Sequence, residues 1–374
     1  MAEIKGLQAH ERPPNSIRTI YKKYQRLKVS EVDNDPDVID LARLDPDDLP
    51  ASIKLLESMP CNDLRLAFDE FVQGTNSVDV EEKPAGLIED MPVFTHELVS
   101  GQLDAAQMSL RCPDVDRYIG LRMIPSLFPP TVQMKLLSQI FHRDLSDPRH
   151  QTNVHLHYNL TYPQASHQRD EKTKLPFLSF FQADPATAFH PKEPDIHNPC
   201  TVQNMLDKKL RWITLGGQYD WTKKMYPNSP PPAFPLDIAR LLRAAFPETD
   251  AQAAIVNLYS ANDTLSMHRD VSEECDIGLI SVSFGCDGLF MVSHDDGDGC
   301  EIIRLRTGDA VYMSGRARFA WHGVPKILPG TCPAWLQDWP GQDYPFWQGW
   351  MSGKRVNLNV RQISELDQAI NMEH

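Results

Sequence analysis

Hydrophobic and polar positions follow two rhythms along this chain. Beyond residue 250 the apolar residues fall into short runs with a period near two: IVNLYS (255–260), LSMHRD (265–270), LISVSFG (279–285), GLFMVS (288–293), CEIIRLR (300–306), DAVYMS (309–314) and RVNLNVRQI (355–363). Successive strand residues face opposite sides, so such runs between Gly/Asp turns predict a β-sandwich or barrel. Earlier in the chain the spacing is helical or broken. DLRLAFDEFV (63–72) predicts an amphipathic helix, and PLDIARLLRAAF (235–246) another. YIGLRMIPSLFPPTVQMKLLSQIF (118–141) predicts a strand, a Pro-Pro break and a helix opened at Pro130.

The first third reads differently. SIRTIYKKYQRLK (16–28) predicts a short basic helix, whereas 31–50 and 75–95 are polar, Pro-broken stretches of the kind that form solvated loops or disordered linkers. Residues 142–205 are His- and Pro-rich and irregular; His155 and His157 form an HxH pair without a nearby acid, which points to a surface or structural role. These patterns place a boundary near residue 115. An acidic, partly disordered N-terminal extension (1–115) is expected to precede one α+β unit with a mainly β core (116–374).

Composition narrows the class. The chain has 374 residues, of which 41 % are hydrophobic and 24 % charged, enough apolar content for a sizeable core. No apolar run approaches a membrane span, and the N-terminus lacks an apolar signal core. Glu3 and Glu11 go against a mitochondrial presequence, so a cytoplasmic or nuclear location is expected, with mitochondria the alternative. Seven dispersed cysteines without a CxxC pair read as reduced thiols. The net charge of −14 goes against a nucleic-acid partner until it is divided. Residues 1–115 hold 22 acidic and 12 basic side chains, the remainder 29 and 25, so the later part can carry a local basic surface.

Candidate chemistry concentrates in the strands. Alternation puts His268 and Asp270 on one face, and His322 follows in a later strand. Two His and one carboxylate that leave open coordination positions are the arrangement of non-haem Fe(II) oxygenases. In RVNLNVR (355–361), Arg355, Asn357, Asn359 and Arg361 share a face, a socket for a dianion such as a chelating 2-oxoacid. Asn257 and Tyr259 likewise share a face upstream of the HxD.

At these residues the chain resembles the AlkB family, in particular its homologue 1 branch. The likeness is carried by KKLRWITLGGQYDW (208–221), VNLYSANDTLSMHRD (256–270), SVSFG (281–285), GDAVYMSGRARFAWHGVPKILP (308–329) and KRVNLNVRQI (354–363), and covers roughly 116–374. The resemblance implies a double-stranded β-helix (jelly roll) with buttressing helices, a nucleotide-recognition lid at about 205–230 and an Fe(II)/2-oxoglutarate core at about 250–365. It implies His268, Asp270 and His322 as iron ligands. Asn257, Tyr259, Arg355, Asn357 and Arg361 match the 2-oxoglutarate pocket, with Arg355 on the distal carboxylate. Trp212 and Tyr219 match positions that contact substrate.

The activity implied is oxidative removal of N-alkyl groups from nucleic-acid bases, in RNA modification or DNA repair, with release of succinate, CO2 and formaldehyde. Structured or single-stranded RNA, transfer RNA included, is favoured over duplex DNA, and the enzyme is expected to be a monomer. Lys208, Lys209, Arg211, Lys223 and Lys224 bracket the two aromatics as a basic strip. Two departures stand out: Ser272 replaces an acid that follows the metal carboxylate in bacterial AlkB, and a Trp-rich segment (333–350) is inserted before the Arg strand. That segment is expected to be a covering loop that buries its rings. A protein-directed oxygenase, or a catalytically idle nucleic-acid-binding scaffold, are the alternatives.

Overall fold

The alternating runs build two sheets that face each other. The computed structural model describes residues 7, 11–59, 61–73, 91–96, 120–163, 178–221, 225–227, 230–273, 275–293 and 299–364. The larger sheet has eight strands in the order β2-β3-β4-β14-β11-β16-β9-β8, with β2 Ile53–Met59, β3 Met91–His96, β4 Leu121–Ile124, β8 Trp212–Gly216, β9 Ala253–Ser260, β11 Leu279–Gly285, β14 Ala310–Met313 and β16 Lys354–Arg361. The smaller has five in the order β1-β13-β12-β15-β10, with β1 Val38–Asp40, β10 Leu265–His268, β12 Gly288–Ser293, β13 Cys300–Leu305 and β15 His322–Ile327. A small sheet of β5 Tyr158–Asn159, β6 Ala188–Pro191 and β7 Cys200–Thr201 lies apart from both.

Alternation decides what each face meets. Val356, Leu358 and Val360 of β16 are fully buried in the main core, which also takes Leu136 and Leu137 of the helix Pro130–Ser138 and Leu241 and Leu242 of the helix Leu236–Ala245. Between the sheets, Leu121, Met123, Leu279, Val311 and Met313 of the larger meet Phe290, Val292, Ile303 and Leu305 of the smaller. The result is helices, large sheet, small sheet: the jelly roll expected. The Trp-rich insert buries most of its rings, with Trp335 and Phe346 left exposed. Trp339, Tyr344, Trp347 and Trp350 are buried, and the indole N–H groups of Trp347 and Trp350 donate to Phe181 O (2.9 Å) and Leu206 O (3.3 Å).

The N-terminal third departs from expectation. It is not an appendage, because β1 pairs in parallel with β13, and β2 and β3 extend the large sheet through β4. The basic helix, here α1 (Asn15–Arg26), packs Ile17 and Tyr24 against Met267, Leu289, Met291 and Trp321 on the outer face of the small sheet. The acidic stretch 31–50 is ordered for an electrostatic reason invisible in composition. Asp40 accepts from Arg306 at 2.5 and 3.1 Å, Asp33 accepts from Arg304 at 2.5 Å, and Asp287 takes the other side of Arg304 at 2.8 Å. Two of the charges read as solvated, Asp33 and Asp40, are partners of arginines 271 and 266 residues away in sequence. A boundary at 115 therefore cuts through both sheets. Of the polar, Pro-broken stretch 75–95, the part from Met91 onward forms strand β3, contrary to a loop or linker; residues 74–90 lie outside the described residues, as do 97–119.

Candidate metal and cosubstrate site

Register brings the two histidines together. His268, at the end of β10, lies directly opposite His322, which opens β15, with ring centroids 4.4 Å apart. Asp270 follows on the loop, 3.6 Å from His268 Nε2 and 3.9 Å from His322 Nε2. One ligand atom from each of the three lies within 4.8 Å of the others, the one such cluster found among the described residues. Each imidazole is turned by the carbonyl two residues before it: His268 Nδ1 lies 2.9 Å from Ser266 O and His322 Nδ1 3.1 Å from Ala320 O. A carbonyl only accepts, so Nδ1 carries the proton and Nε2 presents its lone pair inward. Burial and the neighbouring His268 push His322 down to about 4, so it stands neutral and ready to ligate.

Asp270 is held from behind. Burial alone would raise its carboxyl, but Arg361, His268 and His322 outweigh burial and keep it well below the usual carboxylate range. Arg361 Nη2 donates to Asp270 Oδ2 at 2.6 Å, while its Nε faces Glu273 Oε1 at 3.1 Å. Glu273 accepts in turn from Arg318 Nη2 at 2.8 Å, and Arg318 Nη1 donates to the Asp270 carbonyl at 2.6 Å. Arg318, Glu273, Arg361 and Asp270 thus form one buried chain of alternating charge. Sequence reading assigned Arg361 to the 2-oxoglutarate pocket; its direct contact is with the metal carboxylate. Glu273 and Arg318 were not anticipated, since nothing in their local pattern marks them.

The cavity between the sheets tests the cosubstrate. It is lined by Leu279, Ser281, Met313, Arg355, Asn357 and Asn359 from the large sheet and by Phe290, His322, Gly323 and Val324 from the small one, with Leu265 at its side. Arg355 is 1 % exposed and gives one hydrogen bond, Nη2 to Ser283 Oγ at 2.8 Å. Its Nε and Nη1, the Tyr259 hydroxyl and Asn359 Oδ1 are buried without a hydrogen-bond partner. Tyr259 lies directly opposite Arg355 on β9, and burial pushes its phenol up to about 12. Buried donors in a native protein are almost always satisfied, so the Arg355 Nε and Nη1 and the Tyr259 hydroxyl fit an anionic guest, while Asn359 Oδ1 can only accept. Gly288 makes the room: a Cβ there would lie 2.5 Å from Arg355 Nε. Asn357 donates to Ser281 Oγ at 2.8 Å and stands opposite Asn257, as the strand alternation requires.

Comparison with known proteins now settles the family. Residues 178–361 match the 2OG-Fe(II) oxygenase superfamily. The chain is 42 % identical over 378 residues to the "N6-methyladenosine RNA demethylase ALKB1" of Pyricularia oryzae, covering 96 % of this chain and 98 % of that protein. This chain belongs to the AlkB family. Its homologue 1 branch is also represented by the "N6-methyladenosine RNA demethylase ALKBH" of Cryphonectria parasitica (52 % over 229 residues, 57 % of this chain and all of that one) and the "tRNA demethylase abh1" of Schizosaccharomyces pombe (38 % over 253 residues, 65 % and 79 %). This AlkB protein is a 2-oxoglutarate-dependent dioxygenase, and Fe(II) and 2-oxoglutarate are its cofactor and cosubstrate.

The segment expected to form the lid begins at a sheet edge. Trp212 opens β8, opposite Asn257, and Tyr219 follows the turn at Gly216. The Tyr219 hydroxyl is 3.1 Å from Ser272 Oγ, two residues beyond Asp270, so Ser272 ties Tyr219 to the loop that bears the carboxylate. Trp221, not singled out from sequence, completes the cluster, with its ring 5.0 Å from Trp212 and 4.9 Å from Tyr219. Of the expected basic strip, Lys208 and Lys209 are exposed, whereas Arg211 is ion-paired with Asp263; Lys223 and Lys224 lie outside the described residues. His155 turns its Nδ1 to Thr152 O at 3.0 Å, and the His157 ring lies 4.9 Å from His197, in keeping with the structural role expected of that pair.

Proposed function

We propose that this enzyme oxidises N-alkyl groups on nucleic-acid bases, with RNA, transfer RNA included, favoured over duplex DNA. The observation that carries the reading is the group of rings formed by Trp212, Tyr219 and Trp221, tied through Ser272 to the loop that bears Asp270. A base must leave its stack to reach a metal held between two sheets, and aromatic faces at the mouth return roughly 1–3 kcal/mol of stacking per base. Unpaired bases are flipped at lower cost than paired ones, and a chain of net charge −14 has little long-range attraction for a duplex. The relatives named for RNA and transfer RNA favour the same class.

With iron and 2-oxoglutarate bound, dioxygen would be the oxidant, taking two electrons from 2-oxoglutarate, which leaves as succinate and CO2, and two from the alkyl carbon, which is hydroxylated. The residues do the rest. His268, Asp270 and His322 would hold the metal, and three protein ligands would leave coordination positions for the cosubstrate and dioxygen. Arg355 and Tyr259 receive the distal carboxylate, and Asn257 and Asn357 border that row. Trp212 and Tyr219 fix the base so that its alkyl group points at the metal. A hydroxylated N-methyl group is a hemiaminal and collapses to formaldehyde and the free amine. The proposal extends to a monomer in the cytoplasm or nucleus, checked by light scattering and by imaging the tagged full chain.

The test is turnover on matched substrates. N6-methyladenine and 1-methyladenine are presented in a stem-loop RNA, single-stranded DNA and duplex DNA at one salt concentration, and nucleosides are measured by mass spectrometry. Demethylation fastest in the RNA is expected. Faster turnover on the duplex overturns the RNA preference, and turnover on peptides alone overturns the nucleic-acid reading.

A further inference from the structure

Helix α1 carries a pattern that packing does not explain. Ile17 and Tyr24 are buried, and the Tyr21 hydroxyl donates to Leu265 O (3.2 Å) and Val324 O (3.4 Å) on the two strands that end and begin at the metal histidines. On the opposite side of the helix stand Arg18, Lys22 and Arg26, all exposed, at i, i+4 and i+8. No acidic residue occurs between Asn15 and Arg26, and none of the three cations is ion-paired among the described residues. Lys23 differs, since it turns to Asp35 (3.4 Å) and Asp37 (3.6 Å). A solvated helix face ordinarily mixes signs or pairs its charges at i, i+4. Three aligned cations of one sign repel, and they persist here in a chain of net charge −14.

The stripe also has a fixed relation to the site. Arg269, between two metal ligands, faces away from the metal, stacks on Trp321 at 4.5 Å and pairs with Glu11 at 3.3 Å. The chain leading into α1 therefore lies against the segment that carries His268 and Asp270, on the side turned away from the metal, and α1 runs from there along β15 to Lys326, which donates to Gln25 O at 3.2 Å. Residues four apart on a helix rise by about 6 Å, comparable to the separation of successive phosphates in an extended single strand.

We propose that Arg18, Lys22 and Arg26 form a phosphate-tracking rail that holds the single strand flanking the target base as it leaves the metal site. This rests on the nucleic-acid reading of the function. The rail gives sequence-independent attraction and acts on successive phosphates of one strand, so it favours an unpaired flank. It also gives the N-terminal segment a role in binding beyond closing the small sheet.

The test compares the full-length chain with a triple variant, Arg18→Gln, Lys22→Gln and Arg26→Gln, which keeps helix propensity and touches no buried group. Binding of a methylated single-stranded RNA is followed by fluorescence anisotropy from 50 to 200 mM KCl. Loss of three phosphate contacts is expected to weaken binding and to lower the slope of log affinity against log salt by about 2. Lys23→Gln, on the same helix but outside the stripe, should leave the slope unchanged. An unchanged slope in the triple variant, with wild-type demethylation of the same RNA intact, overturns the rail alone. Absence of wild-type turnover on every oligonucleotide overturns the functional reading with it. A variant that loses affinity for anionic phosphatidylserine vesicles but keeps its RNA slope also overturns the rail, in favour of a membrane surface.

Discussion

Arg361 donates to the carboxylate of Asp270 at 2.6 Å, so the only acidic ligand of the candidate metal centre already has a buried cation against it. The pairing turns the carboxylate toward the two imidazoles and keeps it ionised in a site that would otherwise favour the neutral acid. The Arg361 guanidinium is shared with Glu273, which is itself held by Arg318.

Removing one member of a buried pair leaves an uncompensated charge, at a cost of roughly 3–5 kcal/mol. Arg361→Gln should therefore destabilise the metal-free protein strongly. Added Mn(II) should restore more stability to the variant than to the wild type, because the ion replaces the missing cation beside Asp270. Thermal melts with and without Mn(II) measure this, and equal metal-induced shifts in both proteins would remove the pairing from the account. His268→Ala and Asp270→Ala should both abolish iron-dependent turnover. Only Asp270→Ala also strips Arg361 of its nearest acid.

The cosubstrate row makes a separate prediction. Arg355→Ala should raise the 2-oxoglutarate requirement severely, since truncating a buried charged partner costs roughly 2–5 kcal/mol. Gly288→Ala should act in the same direction without touching a polar group, because its Cβ would lie 2.5 Å from Arg355 Nε and push the guanidinium aside. Calorimetric titration with 2-oxoglutarate in the presence of Mn(II) reads both variants. Wild-type affinity in Gly288→Ala would mean that the guanidinium has room to shift without losing the carboxylate.

Sequence reading makes the first 60 residues dispensable, because no metal or cosubstrate residue lies there; the fold predicts otherwise. Deletion of 1–60 removes Ile17, Tyr24, Val32 and Leu41 from buried positions, strand β1 from the small sheet and the partners of Arg304 and Arg306. Each such apolar side chain stabilises by roughly 1.5–3 kcal/mol, and their sum rivals the whole stability of an ordinary domain, about 5–15 kcal/mol. The truncated chain should lose its cooperative melt by calorimetry. A truncation that melts like the full chain would show that β1 and α1 add little to the small sheet.

The rings of Trp212 and Tyr219 should separate binding from chemistry. Trp212→Ala with Tyr219→Ala should slow demethylation of an RNA oligomer by about 10-fold or more, from lost stacking of roughly 1–3 kcal/mol per ring. Decarboxylation of 2-oxoglutarate without substrate should continue, since neither ring touches the Arg355 row. Succinate measured with and without RNA distinguishes the two, and equal loss of both activities would count against a substrate role.

The sequence alone determined the chemistry. Strand alternation is a local rule, so HxD, NxY and RxNxNxR each put their polar side chains on one face wherever the strand lies. The same rule made a β-sandwich or barrel legible from the short runs beyond residue 250, the AlkB resemblance narrowed it to a jelly roll, and the buried Val356, Leu358 and Val360 follow from the alternation. Tertiary structure alone decided which strands face each other. The His268–His322 register, the Gly288 space beside Arg355 and the Arg318–Glu273–Arg361–Asp270 chain join residues far apart in sequence, where periodicity carries no information. The first third was misread for the same reason: an acidic, Pro-broken stretch looks solvated until Arg304 and Arg306 stand against Asp33 and Asp40. A charge is costly to bury alone and tolerable when paired, and pairing is a property of the fold.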